Sequence, residues 1–231
     1  MRHLAWALVM ASGKAEKLSA GVDIPFLYLN DRPVFAHSLA AFMQCPDIDG
    51  IVLSVPRERA ESVLGVIQLC GFSKVRKIVA GKPGHAQSMA AALAHVPGDV
   101  EWLCVHDPAW PVLLPATVAA TVRTARRHGS GIAATPIPER VVAAKKGAYV
   151  SECSGGDSLW SLASPQTWSA AALRQAYSAS TKERPRFSSD WDAMVAQGIV
   201  PRLVETPPSF RIRGSADLDP ALAALRRAGL A

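Results

Sequence analysis

The feature that most constrains this fold is a repeated exchange between two hydrophobic periods. Short β-rich apolar runs recur along the chain: "HLAWALVM" (3–10), "GIVLSV" (50–55), "VRKIVA" (75–80), "VEWLCV" (100–105) and "GIAATPI" (131–137). Stretches of helical period lie between them. In "PRERAESVLGVIQLC" the spacing puts Val63, Leu64 and Ile67 on one predicted face, opposite Arg57, Glu58 and Glu61. "HAQSMAAALAH" and "PATVAATVRTARRHG" are alanine-rich, and the second places Arg126, Arg127 and His128 just before Gly129. Cations at the negative end of a helix, followed by glycine, mark a helix C-terminus. Strand alternating with helix predicts an α/β fold: a mainly parallel sheet with helices on both faces.

After residue 137 the rhythm changes. "RVVAA" and "AYVSE" flank the turn-like "KKG", which predicts a β-hairpin inserted between core elements, and such an arm needs a partner to cover it. The core resumes with "LWSLASPQ", a helix over 167–178, a polar loop and a short helix in "SSDWDAMVAQG". Strands at "PRLVE" and "SFRIR" and a final amphipathic helix, "LDPALAALRRAG", complete the reading. With no repeat and no low-complexity linker, residues 1–231 read as a single domain with an inserted arm at about 138–157.

Composition narrows the function. Hydrophobic residues make up 49% of the chain, but no apolar run approaches the ~18 residues that a membrane span needs. The start, "MRHLAWALVMASG", has the basic, apolar and small-residue order of a short signal peptide. Its apolar centre is brief, however, and leads straight into the α/β pattern. Cys45, Cys70, Cys104 and Cys153 are scattered, without C-x-x-C or histidine at ligand spacing, as in reduced thiols of a cytoplasmic protein. Lys plus Arg outnumber Asp plus Glu by 25 to 19, and the isoelectric point is 9.4. That surplus suits an anionic small substrate. The basic residues are dispersed and not interleaved with aromatics, which argues against nucleic acid.

In an open α/β sheet, ligands bind beyond the carboxyl ends of the strands, so three loops carry the candidate chemistry. The first follows the first strand. Ala11, Ser12 and Gly13 are small enough for backbone N–H groups to approach a phosphate, and Lys14 and Lys17 supply charge; an ordinary strand-to-helix turn would look the same. The second is "AGKPGHAQS", where a nucleobase could lie on the backbone from Gly81 to Gly84, beside Lys82, with Ser88 one turn into the next helix. An exposed helical serine is the plain alternative for Ser88. The third is "CVHDPAWP". Asp107 at the end of a buried strand is costly without a partner, and a metal ion, substrate hydroxyls or a capped loop N–H would each satisfy it. His106 reads as a residue that orients this loop.

Together these blocks resemble the 2-C-methyl-D-erythritol 4-phosphate cytidylyltransferase family. The similarity covers nearly the whole chain: the small-residue loop, "PFLYLNDRPVFAHSLAAF", "AG…AQSM", "VHDPAWP", "AATPI", "LWSLASPQ", "LVE" and "SFRIR". The resemblance implies a Rossmann-like sheet, a homodimer joined through the arm, and a Mg²⁺-dependent transfer of CMP from CTP to a polyol phosphate with release of pyrophosphate. It implies Lys17 and the loop N–H groups of Ala11, Ser12, Gly13 and Lys14 on the triphosphate. Asp107 would hold Mg²⁺ or the substrate hydroxyls, Gly81, Lys82 and Ser88 would lie by the base, and Ser164 and Arg211 would serve the acceptor.

The match is uneven. Lys17 stands where the family has an arginine, Ala15 where it has a glycine, and Phe26 where it has a lysine at the reacting phosphate. His85 and Trp110 each replace an arginine, Arg211 replaces a lysine, and the arm's arginine falls within Gly155 and Gly156. Lys14 or Lys82 at the phosphates, and Lys145 or Lys146 on the arm, could stand in for the lost charges, though nothing in the sequence demands it. Phe26 and Trp110 would make the pocket more apolar. Trp191 replaces a small residue of the family, while Asp190 beside it could still retain an acidic contact. Two other readings therefore stand beside the working enzyme: an impaired paralogue that binds a nucleotide or partner protein, and a nucleotidyltransferase with a different acceptor.

Overall fold

The apolar run near the start becomes an interior strand of the sheet, paired on both sides. The computed structural model describes residues 4–12, 23–82, 84–145, 149–154, 159–178, 187 and 189–230. Its first half runs β1 (Ala5–Met10), a small hairpin of β2 (Tyr28–Leu29) and β3 (Arg32–Pro33), α1 (Val34–Gln44), β4 (Gly50–Val55), α2 (Ala60–Leu69), β5 (Val75–Ala80), α3 (His85–Leu93) and β6 (Trp102–His106). There follow α4 (Pro115–His128), β7 (Ser130–Pro136), β8 (Val141–Lys145), β9 (Tyr149–Ser154), β10 (Trp160–Ser169), α5 (Ala170–Ser178), α6 (Asp190–Val195), β11 (Leu203–Glu205) and α7 (Leu218–Arg227).

Seven strands form one sheet in the order β11-β7-β10-β6-β1-β4-β5. β1 pairs in parallel with both β4 and β6, and β5 and β11 also join in parallel. Only β10 runs antiparallel to its neighbours, β6 and β7. The fold is thus α/β, Rossmann-like and mainly parallel. Side chains alternate across a strand, and β1 shows it. Ala7 and Val9 enter a core built with Phe35, Leu39 and Phe42 of α1 and Val118 and Val122 of α4. Leu8 and Met10 enter the opposite core with Met89, Trp168, Leu173 and Met194. A third cluster ties α7, through Ala221 and Leu225, to Ile24, Ala109 and Ile212 beside the site.

Several local expectations are corrected by tertiary contacts. Leu64 is 45% exposed although it shares the predicted face of α2; Val63 alone of that helix is buried. The helix expected from 167 begins at Ala170, because Thr167–Ser169 prolong β10 against Cys104, Leu103 and Trp102. "SFRIR" forms no strand. Its neighbour is a loop, met by a single backbone bond from Ile212 N–H to Ala109 O at 2.8 Å. The hairpin is present as β8 and β9, an antiparallel pair outside the main sheet. Gly129 ends α4 with a left-handed φ of 86°, which glycine adopts without a Cβ penalty.

Gly131 marks a close approach of helix to sheet. A Cβ placed there would lie 2.1 Å from the Thr121 carbonyl oxygen of α4. Gly131→Ala is expected to push α4 off β7 and cost about 1–3 kcal/mol. Calorimetry should show a Tm lower by several degrees; an unchanged Tm would contradict this packing.

Candidate active site

The loops that follow β1 and β6 share one cleft of about 470 Å³, lined by Ser12, His85, Asp107, Trp110, Ser164 and Arg211 among others. The expected cost of Asp107 is met by two donors. Its Oδ1 accepts the Ala109 N–H at 2.9 Å, and its Oδ2 accepts Arg211 Nε at 2.7 Å. Asp107 is therefore both a loop cap and one half of an ion pair, 104 residues from its partner. Behind it, His106 is fully buried, with Nδ1 2.7 Å from Ser164 Oγ and Nε2 2.9 Å from Ser38 Oγ. Burial pushes the His106 pKa down to about 4, against the opposing pull of the Asp107 charge. The imidazole is neutral at physiological pH. β10 shifts register between Leu162 and Gln166, and this irregularity presents Ser164 to the cleft, where its Oγ also accepts the Asp107 N–H at 3.1 Å.

The second loop meets the first. Gly81 lies so near the first loop that a Cβ would fall 2.0 Å from Ser12 Oγ, and Ser12 and Ser54 share a short hydrogen bond. Gly81 thus acts by letting the two loops close together. Ser88 is not the exposed helical serine of the plain alternative. It is fully buried, donates to the Lys82 carbonyl at 2.9 Å and accepts the Lys82 N–H at 2.8 Å, so its hydroxyl shapes the loop from within. The Lys82 side chain is exposed and does not line the cleft. Ala11 and Ser12 are in place at the end of β1; Gly13, Lys14 and Lys17 lie outside the described residues, as do Lys146, Gly155 and Gly156.

The family model for 2-C-methyl-D-erythritol 4-phosphate cytidylyltransferase matches residues 5–227. The chain belongs to this family. The enzyme of that name from Desulforamulus reducens is 30% identical over 226 residues, covering 96% of this chain and 95% of the relative. The Geobacter metallireducens enzyme is 27% identical over 196 residues, covering 83% of both. Among solved structures, 4-diphosphocytidyl-2C-methyl-D-erythritol synthase from Anaerococcus prevotii matches with a TM-score of 0.82 at 17% identity, covering 97% of this chain and 96% of that one. The Thermus thermophilus cytidylyltransferase gives 0.72 at 23%, with 95% and 98% covered. At those identities the two structures support the fold.

Two departures from the family pattern take different places. Trp110 does line the cleft, half-buried, and also borders a neighbouring hollow of about 380 Å³ with Phe210 and Arg213. Phe26 does not. It packs against Phe35 at 5.8 Å between ring centroids, with the Arg59 guanidinium 5.4 Å above its ring. Its short 3₁₀ turn presents Ile24 and Pro25 to the cleft instead, so the expected apolar pair reduces to Trp110.

His85 and Asp190 form a contact that sequence spacing concealed. His85 opens α3 and Asp190 opens α6, 105 residues later, yet Nε2 lies 3.0 Å from Oδ1. Tyr177 of α5 donates to the same oxygen. The only signal in the sequence was that both residues stand in motif blocks. Burial disfavours the His85 cation, but the hydrogen bond and charge of Asp190, with the Asp107 charge, outweigh it and raise its pKa. Burial and the adjacent carboxylate hold the Tyr177 phenol protonated.

Because the folded value is raised, the stabilisation by this pair is complete below the ordinary histidine value of about 6.5. It is lost as pH rises through the raised value. Denaturant midpoints of the wild type and His85→Gln should therefore differ most at about pH 6 and converge above it. A pH-independent difference would show that His85 contributes packing alone.

Proposed function

We propose that this protein transfers CMP from CTP to 2-C-methyl-D-erythritol 4-phosphate, releasing pyrophosphate, as the names of its relatives state for them. The observation that carries the reading is the convergence of Asp107, Arg211 and Ser164 in one cleft beyond the carboxyl ends of β1 and β6. In this reaction an oxygen of the acceptor phosphate forms a bond to the α-phosphorus. The α–β anhydride bond breaks, and its electron pair leaves on the bridging oxygen of pyrophosphate. The nucleophile is already ionised at neutral pH, so no general base is required, in keeping with a neutral, buried His106. Catalysis of this kind rests on positioning and charge neutralisation.

The chain's own groups divide the work. Ser12 and Ala11 border the region expected to hold the triphosphate, with Lys17 and Lys14 as its cations. Arg211 serves the acceptor phosphate, since a guanidinium carries five donors and can hold a carboxylate and a phosphate together. Ser164 adds a hydroxyl, and Trp110 offers a flat apolar wall against the acceptor carbons or the base.

Among the described residues no three potential metal ligands cluster. The Asp107 carboxylate alone nevertheless fits Mg²⁺. Each of its oxygens accepts one hydrogen bond and keeps another lone pair, and Mg²⁺ is commonly held by one or two carboxylates together with substrate phosphates. Mg²⁺ bound there would neutralise charge on the triphosphate.

Val141 and Val142 of the arm are 41% and 48% exposed, which supports a homodimer joined through β8 and β9. No described helix is long and apolar enough to cross a membrane. Our reading is of a cytoplasmic enzyme that acts on small anionic substrates, without nucleic acid.

Pyrophosphate release from CTP and methylerythritol phosphate with Mg²⁺ tests the function. Asp107→Ala is expected to lower kcat at least about 10²–10³-fold while the far-ultraviolet circular dichroism stays unchanged. Full activity in that variant would remove Asp107 from the mechanism, and no release by the wild type would refute the reaction. Light scattering of a chain with 141–154 replaced by a short glycine–serine turn should report monomers. Dimers would place the interface elsewhere.

A further inference from the structure

A line of three side chains runs behind the cleft: Ser38 of α1, His106 at the end of β6 and Ser164 of β10. Ser38 and His106 are buried, and Phe42 meets the imidazole edge-on at 5.6 Å. Counting protons along this line decides what Ser164 offers to a ligand.

A neutral imidazole has one N–H and one bare nitrogen. A serine hydroxyl has one proton and two lone pairs. One lone pair of Ser164 already accepts the Asp107 N–H. With the histidine proton on Nε2, Ser164 must spend its own proton on Nδ1, and the cleft sees only a lone pair. With the proton on Nδ1, Ser164 accepts twice and its O–H is left to donate into the cleft.

Ser38 selects between these states. Its fully buried hydroxyl has no hydrogen-bond partner among the described residues other than His106 Nε2. Donating to a bare Nε2 satisfies the Ser38 proton. Accepting from Nε2–H would leave that proton buried and unmatched, which folded proteins avoid. We infer that Ser38 and His106 are positioning residues that fix the Nδ1–H tautomer, so that Ser164 stands as a hydroxyl donor toward an anionic oxygen of the acceptor. The role of the donor rests on the function proposed above; the tautomer does not. A phosphate oxygen only accepts hydrogen bonds, so this arrangement matches it, and the opposite one would turn lone pair against lone pair.

Nitrogen-15 NMR of the full-length chain labelled at histidine reads the tautomer directly, with the His106 signals assigned by their loss in His106→Asn. The expected result is a proton on Nδ1 and a bare Nε2. A protonated Nε2 in the wild type overturns the inference, whatever the kinetics. In turnover, Ser38→Ala should raise the KM for the acceptor about tenfold and leave the KM for CTP unchanged, and Ser38→Thr should restore it. In a Ser164→Ala background the Ser38 substitution should cost nothing further. Equal losses with and without Ser164 would mean that Ser38 serves packing only, and would also overturn the relay. If the wild type turns nothing over, the proposed function fails while the NMR result still decides the tautomer.

Discussion

The parallel pairing of β1 with β4 on one side and β6 on the other is the constraint on which the rest of the structure depends. Ala7 is matched to Ile51 and to Cys104, and Leu8 to Val52 and to Val105. This register aligns the carboxyl ends of three strands on one edge of the sheet. A strand hydrogen-bonded on both sides and covered on both faces must be apolar throughout, and a one-residue slip would exchange its two faces. Polar groups therefore collect where the strands end, and there they need partners from elsewhere in the chain.

Those partners come from distant elements. Asp107 is held by Arg211, Asp190 by His85 and Tyr177, and His106 by two serines. These contacts hold the side chains in place around the cleft, while Asp107, Arg211 and His85 stay partly open to solvent. Histidine at 85 makes the contact to Asp190 sensitive to pH. Tryptophan at 110 exchanges a charge for a surface that stacks. Arg211, paired with Asp107, brings a guanidinium charge to the cleft.

Much of the fold was legible from hydrophobic period. β4 and β5 occupy the predicted 50–55 and 75–80, the helix ahead of Gly129 ends where its basic last turn indicated, and the hairpin follows its two β-capable runs. The errors fall where a local pattern met a distant neighbour. Thr167–Ser169 read as the start of a helix and became strand because β6 lay alongside to pair with them. "SFRIR" has strand composition, and no strand edge reached it. Ser88 stood in the expected block, but its hydroxyl turned inward to Lys82. Phe26 occupied a motif position, and its ring found a better partner in Phe35.

By itself, the sequence determined the alternation of strand and helix, the three loops that had to lie beyond the strand ends, the family, and the identity of Asp107, Ser164 and Arg211 as candidates. Each of these is written in local period or in the order of short blocks. The tertiary structure alone decided which candidates touch: Asp107 with Arg211 across 104 residues, His85 with Asp190 across 105, and His106 between Ser38 and Ser164. Hydrogen bonds act over about 3 Å of space, and one-dimensional spacing carries no measure of that distance until the sheet register has set it.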